Sequence, residues 1–428
     1  MGMTLAQKVL ARTSRRQSVD VGEVVIVEPD LFELIDLVLP NYFKILESHG
    51  VKRLRYPERC VVFADHEVPS QSIRVAGLKK SLKKQMRDYG IEHVYDEGRH
   101  GISHQAIVEY GHVLPGMLVL SADTHATTLG CVGALAPPIN YETIQALATG
   151  EIWLRVPETI RVELHGRPRP GVMSRDIAQQ IGARLGSERC DYRVIEYAGP
   201  ALAELDMDAR MTLCNVAVDM GAKAAVVEPD AITERYLRAR TDRPFSRIAS
   251  DPDASYAYRL QLDLAELEPM VAAPPAPDNL VPISSLSDVH VDQVYIGSCA
   301  GGRLEDLRAA AQVLRGRRVH PDVRMLVVPT SQEIYAGAAR EGLLETFVLA
   351  GATVSAPSCG PCYGNLAPLA DGDVCIGTGT TNMPGRMGSS QALIYLSNAA
   401  VATASAIAGR ITAPDALNVR PAPQEEAR

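Results

Sequence analysis

Apolar residues along this chain fall into two alternating patterns. Short continuous runs at 291–297 (VDQVYIG) and 325–329 (MLVVP) predict buried strands, and between them Leu304, Leu307, Ala311 and Leu314 recur at helical spacing. Strand, helix and strand with short connections predict a parallel βαβ unit. The same grammar returns at 224–227 (AAVV), after a helix-like stretch, and at 351–356. No repeat of fixed period is present. Residues 391–409 (QALIYLSNAAVATASAIAG) have the length of a membrane span, but Gln391, Ser397, Asn398, Thr403 and Ser405 interrupt them. With alanine dominant, they predict a tightly packed buried helix instead.

Breaks in the pattern suggest the domain plan. Prolines in 271–282 (VAAPPAPDNLVP) oppose helix and ladder alike and predict a linker. Near 151–170, the segment WLRVPETIRVELHGRPRP gives strands and then a Pro/Gly turn. Residues after Thr412 are polar and Pro-rich and read as a frayed end. The chain is therefore expected to be α/β, with three domains at roughly 1–160, 161–285 and 286–428.

Composition narrows the class. At 428 residues the chain is too long for one ordinary core, and 46% hydrophobic with 22% charged residues suits a soluble globular protein. A net charge of −8, without blocks of like charge, leaves no electrostatic footprint for nucleic acid. The basic first residues lack an apolar signal core, and Ala6 breaks a myristoylation pattern. Eight cysteines are too sparse for a secreted disulfide framework, so reduced thiols and a cytoplasmic location are expected.

Three of those cysteines stand out. Cys359-Gly360-Pro361-Cys362 is a CxxC on a Gly/Pro turn, and Cys299 sits in the loop Gly297-Ser298-Cys299-Ala300-Gly301-Gly302-Arg303 just before a predicted helix. Glycines there would let the backbone approach a bulky ligand, and a helix N-terminus offers N–H groups to anionic sulfur. Thiolates suit iron–sulfur clusters, and three of them would leave one iron open as a Lewis acid. A redox pair, half of a zinc site or simple structural thiols are the alternatives.

Histidine–carboxylate motifs lie at strand ends, where open α/β sheets place ligands. Asp65-His66 follows the apolar run 60–64, Asp123-Thr124-His125 follows 117–122, and His104 lies between them in a Gly-led stretch. A carboxylate beside an imidazole can set its tautomer and raise its basicity, although a single Asp-His is more often a satisfied turn pair.

These pieces carry a resemblance. VFADHEVPS (62–70), GISHQAIVEYGHVLPGMLVLSADTHATTLGCVGALA (101–136), RMTLCNVAVDMGAKAAVVEPD (210–230), YIGSCAGGRLEDLRAAAQVL (295–314), APSCGPCYG (356–364) and PGRMGS (384–389) occur in family order. The chain resembles the aconitase superfamily, and within it the large subunit of 3-isopropylmalate dehydratase and its homoaconitase relatives. The resemblance implies an aconitase-like body of three α/β domains around a central [4Fe–4S] cluster. The family's swivelling domain is absent from this sequence. A separate small subunit is therefore expected to carry the serine base and a carboxylate-binding arginine.

Carried over by motif, Cys299, Cys359 and Cys362 match the cluster ligands, and Asp65 and His66 match the pair that protonates the departing hydroxyl. His104 matches a second active-site histidine, Asp123 and His125 the Asp-Ser-His motif, Arg386 a carboxylate-gripping arginine, and Asn215 an asparagine near the cluster. The implied reaction is reversible trans elimination of water from a small hydroxy-dicarboxylate, with iron polarising the hydroxyl.

Three positions depart from the family pattern. Thr124 stands where serine is expected, Asp219 replaces a glutamate that partners His125, and Thr381 replaces an arginine that contacts substrate. A bidentate guanidinium is a strong charge-assisted contact. Its loss points away from citrate and toward maleate, citraconate or dimethylmaleate rather than isopropylmalate. Two other readings are an inactive, cluster-bearing regulatory protein and a zinc or redox CxxC protein.

Overall fold

The computed structural model describes residues 2–417. The C-terminal end expected to fray lies partly outside them, because residues 418–428 are not among the described residues. Contacts divide the chain into two compact units, residues 1–169 with 181–266 and residues 170–180 with 267–428.

The first unit holds two four-stranded parallel sheets and an antiparallel ribbon of Val24–Val27 with Ile152–Arg155. One sheet runs His93–Tyr95, Cys60–Phe63, Leu31–Ile35, Val119–Ser121. Taken in chain order, these are its third, second, first and fourth strands, so the order reverses between Leu31–Ile35 and Val119–Ser121. The other sheet runs Tyr258–Asp263, Thr159–His165, Val194–Ala198, Ala224–Val227. Leu31–Ile35 and Cys60–Phe63 are buried along their whole length, as strands covered on both faces must be. Leu34, Phe43, Val62, Leu118 and Val226 belong to one apolar cluster beneath these elements. Each large side chain removed from water there contributes roughly 1.5–3 kcal/mol.

Gly130 shows how tightly this unit is drawn together. It lies in the 3-10 segment Thr124–Val132, and a Cβ there would fall 1.7 Å from the carbonyl oxygen of Ala225. Only glycine lets the Asp123–His125 turn pack directly on the Ala224–Val227 strand.

The second unit is built on a seven-stranded sheet. Its order is Leu280–Pro282, Met270–Ala272, Leu393–Leu396, Val374–Gly377, Gln293–Ile296, Arg324–Val327, Thr353–Val354. The predicted strand–helix–strand unit is present as Gln293–Ile296, the helix Leu304–Leu314 and Arg324–Val327, with the strands parallel.

Two sequence expectations fail here. The stretch 391–409 is not one helix: Leu393–Leu396 is a strand paired with Val374–Gly377, and the helix is Ala399–Ala408. The Leu-Ile-Tyr-Leu run prefers a pleated, buried position, and Asn398 breaks the segment by capping the helix. Its side chain accepts from the Val401 N–H at 2.9 Å. The segment 271–282 is not a linker either. Met270–Ala272 and Leu280–Pro282 form an antiparallel hairpin, with Val271 opposite Val281. Pro274 and Pro275 fall in its loop, and Pro282 ends an edge strand, where a missing N–H breaks no ladder. Among the described residues no helix is long and apolar enough to cross a membrane.

Candidate active site

In the first unit, the carboxyl ends of three parallel strands supply acidic side chains on either side of the strand-order reversal, where open α/β sheets form a crevice. Asp36 follows Leu31–Ile35, Asp65 and His66 follow Cys60–Phe63, and Asp123 follows Val119–Ser121. All four are buried. His66 Nδ1 lies 2.6 Å from Asp65 Oδ1. The other Asp65 oxygen accepts from the Ser103 N–H at 2.8 Å, at the start of the helix Ser103–Glu109 that carries His104. Asp36 accepts from the backbone N–H groups of His66 and Glu67, both at 3.2 Å.

These contacts split the two carboxyls. Burial raises the proton affinity of Asp65, and the charge and hydrogen bond of His66 offset this only in part. Burial also works on Asp36, but there the His66 ring and the two backbone donors outweigh it and hold the group below its ordinary range. Asp36, Asp65 and His66 bring their ligand atoms within 4.8 Å of one another. Backbone donors and the imidazole already occupy these carboxylates, which fits a proton-holding pair better than a metal site.

Asp123 is the centre of a second group. Its Oδ1 accepts from the His125 N–H at 2.8 Å and lies 3.7 Å from His104 Nδ1. Burial pushes the Asp123 carboxyl up, but His104, His125 and His66 together hold it below its ordinary value. His125 Nε2 lies 3.4 Å from Asp219 Oδ1, the pairing the sequence resemblance implies. The shorter aspartate reaches the ring because its 3-10 turn, Ala217–Met220, lies next to Thr124–Val132. Thr124 is exposed, with its hydroxyl 3.1 Å from His125 Nδ1. Asn215 is fully buried and donates to Thr128 Oγ1 at 2.9 Å, which ties its helix to the Asp123–His125 turn.

In the second unit, Cys299, Cys359 and Cys362 are 3%, 8% and 2% exposed, and no disulfide joins any of the eight cysteines. Cys299 follows the first strand of its parallel set in chain order. Thr380, Thr381 and Arg386 follow Val374–Gly377, the strand beside it across another reversal of order. Cys362 Sγ lies 3.5 Å from Thr380 Oγ1 and accepts from Arg386 Nη2 at 3.7 Å. Thr381 is half-buried between buried Thr380 and Asn382. The hydroxyl of Tyr295 is fully buried, and its O–H meets no acceptor. Burial first, and then charge on Cys362, Cys359 and Cys299, raise its proton affinity, against a contact from the Ser298 backbone.

The loop glycines Gly297 and Gly301 are packed tightly against the protein itself. A Cβ on Gly301 would fall 2.3 Å from Thr378 Cβ, and one on Gly297 would fall 2.5 Å from the Tyr295 ring. They make room for the protein's own side chains. Sequence reasoning missed Asp36, Tyr295, Thr380 and Glu33. The one available signal was Glu33, a charged residue inside the apolar run Leu31–Ile35.

The pattern of the aconitase family (aconitate hydratase) matches residues 7–409. The chain belongs to that family, and it is a hydro-lyase of the aconitase and 3-isopropylmalate dehydratase type. The 3-isopropylmalate dehydratase large subunit 1 of Methanopyrus kandleri is 42% identical over 97% of this chain and 99% of its own length. The 3-isopropylmalate dehydratase large subunits of Thermodesulfovibrio yellowstonii and Aquifex aeolicus are 41% and 40% identical, over 98% and 97% of this chain and 100% and 98% of theirs. A crystal structure of Thermococcus kodakaraensis aconitase X in its holo form aligns with a TM-score of 0.47 and 11% identity, over 88% of this chain and 89% of that one.

Proposed function

We propose that the protein is the large subunit of an iron–sulfur hydro-lyase that reversibly removes water from a small hydroxy-dicarboxylate of the 3-isopropylmalate type. The observation that carries this reading is the buried 2.6 Å contact between Asp65 and His66. Raised proton affinity on Asp65 keeps a proton in that contact, ready for a departing hydroxyl. Ionised Asp123 lies between His104 and His125 and stabilises positive charge on either imidazole. Asp219 orients His125. Arg386, beside Cys362, would supply a guanidinium for a carboxylate, as the family resemblance implies.

The residues fit an iron–sulfur cluster. Cys299, Cys359 and Cys362 would hold it, with Thr380, Arg386 and the Tyr295 hydroxyl as polar neighbours of sulfur. When bound, the cluster would supply a Lewis acid for the hydroxyl to be lost. Near-complete coverage of relatives named large subunits supports a separate small-subunit partner.

A second substrate reading rests on Thr381, a neutral side chain where the family resemblance expects a guanidinium. It favours maleate, citraconate or dimethylmaleate. The experiment is anaerobic reconstitution with the small subunit from the same source, followed by an ultraviolet absorbance screen of these acids beside 3-isopropylmalate. Highest turnover of 3-isopropylmalate supports the first reading, and highest turnover of a smaller acid supports the second. An intact brown chromophore without turnover of any diacid would favour the regulatory reading. One zinc per chain without acid-labile sulfide would overturn the cluster.

A further inference from the structure

Glu33 is the middle residue of Leu31–Ile35, the strand at the reversal of the first sheet, and none of its surface is exposed. It is paired in register with Val61 on one side and Ser121 on the other. No well-formed hydrogen bond reaches either carboxyl oxygen, although the Ser103 and Ser121 hydroxyls lie close enough to favour the charged form in part. The nearest cationic partner is His104, whose Nδ1 lies 4.0 Å from Glu33 Oε1 and 3.7 Å from Asp123 Oδ1. The groups facing Glu33 are Ser103 and His104 from the helix, Ser121 and Asp123 from the neighbouring strand end, and Asp65 from the other side.

A buried carboxylate with only two loosely placed hydroxyls, close to two other carboxylates, has little to replace its lost hydration. A neutral carboxylic acid does not carry that cost, and its O–H can serve as a donor. We infer that Glu33 is a positioning residue of the acid–base site, a neutral carboxylic acid set against Nδ1 of His104 that governs the charge and tautomer of that ring. This rests on the hydro-lyase reading for its consequence, but not for its chemistry.

With Asp123 ionised and Glu33 neutral, His104 answers to one negative charge instead of two. Its proton then stays transferable, whereas two flanking carboxylates would trap an imidazolium. Burial first, then Asp123 and Asp65, push the Glu33 carboxyl up to about 8, against opposing contacts from Ser103 and Ser121. The neighbours thus drive Glu33 and Asp123 in opposite directions, the arrangement that separates acid from base in hydrolytic and isomerising sites.

Infrared difference spectroscopy of the whole chain across a pH series tests the protonation. A carboxylic-acid carbonyl band should be present at neutral pH, fade as pH passes about 8, and be missing in Glu33→Gln. A wild-type spectrum without that band, or a band unchanged in Glu33→Gln, overturns the proposal. Kinetics of the complex reconstituted with its small subunit test the role. Glu33→Gln, neutral and of similar shape, should keep kcat within about threefold at neutral pH and lose the alkaline decline near pH 8, while Glu33→Ala should lose about tenfold or more. Equal damage by both variants at every pH would mean that an ionised carboxylate is needed, and would sink the idea. If the wild type turned over no diacid, the hydro-lyase reading would fail while the infrared result still decided the protonation.

Discussion

The backbone N–H of Ser103 donates to Asp65 Oδ2 at 2.8 Å, so the carboxyl that contacts His66 also holds the first residue of the helix bearing His104. One side chain links two histidines that the sequence separates by a strand and a helix.

That link makes Asp65→Asn a sharp test of catalysis. Asparagine keeps an oxygen for Ser103 but cannot share a proton with His66. The expected result is a loss of about a hundred- to ten-thousand-fold in kcat, with circular dichroism and melting temperature close to wild type. Activity within about tenfold of wild type would remove Asp65 from the acid role.

Stability should respond to pH in two opposite ways. Glu33 is raised from an ordinary 4.5 to about 8, so the unfolded chain sheds that proton first and stability falls as pH rises between those values. Asp36 and Asp123 are lowered, so their contribution is present above the ordinary carboxylate range and is lost as pH falls through their folded values. Urea unfolding at a series of pH values should show Glu33→Gln gaining on wild type by a few kcal/mol between about pH 5 and 8. A constant difference across that range would contradict the burial argument.

Asn398 joins the Leu393–Leu396 strand to the Ala399–Ala408 helix. Its amide donates to Asp176 Oδ2 at 2.8 Å and to the Gly171 carbonyl at 3.1 Å. Asn398→Ala should cost roughly 1–3 kcal/mol in a denaturation curve, from the lost cap and a buried carboxyl left short of a donor. A cost below about 0.5 kcal/mol would show that water replaces the amide.

The Tyr295 phenol tests the cluster assignment without reference to turnover. Tyr295→Phe should keep iron and sulfide content, but move the cluster potential to more negative values by tens of millivolts, because the buried O–H without an acceptor is proposed to donate to cluster sulfur. Cys299→Ser should instead lower iron and sulfide content and bleach the chromophore. An unchanged potential in Tyr295→Phe would place the hydroxyl away from sulfur.

Much of this was legible along the chain because it is local. The strand Gln293–Ile296 and the helix Leu304–Leu314 follow directly from apolar spacing, and the Asp65 and Asp123 motifs stand out by residue type at strand ends, with His104 between them. The errors were also local. Residues 391–409 are uniformly apolar enough to look like one helix until Asn398 is seen to cap only its second half. Residues 271–282 look like a linker because proline hides a hairpin whose partner strand lies more than a hundred residues later in the chain.

The sequence by itself determined the family, the strand–helix grammar and the reactive side chains, because periodicity and motif spacing are properties of neighbouring residues. Tertiary structure decided which of those side chains hold protons. Glu33 and Asp123 are both carboxylic acids, and of the groups that separate them only His125 lies near in the chain. The fold surrounds Asp123 with three imidazoles and gives Glu33 two hydroxyls beside two carboxyls. Charge in a buried site depends on the sum of what surrounds it, and that sum exists only once distant segments have packed together.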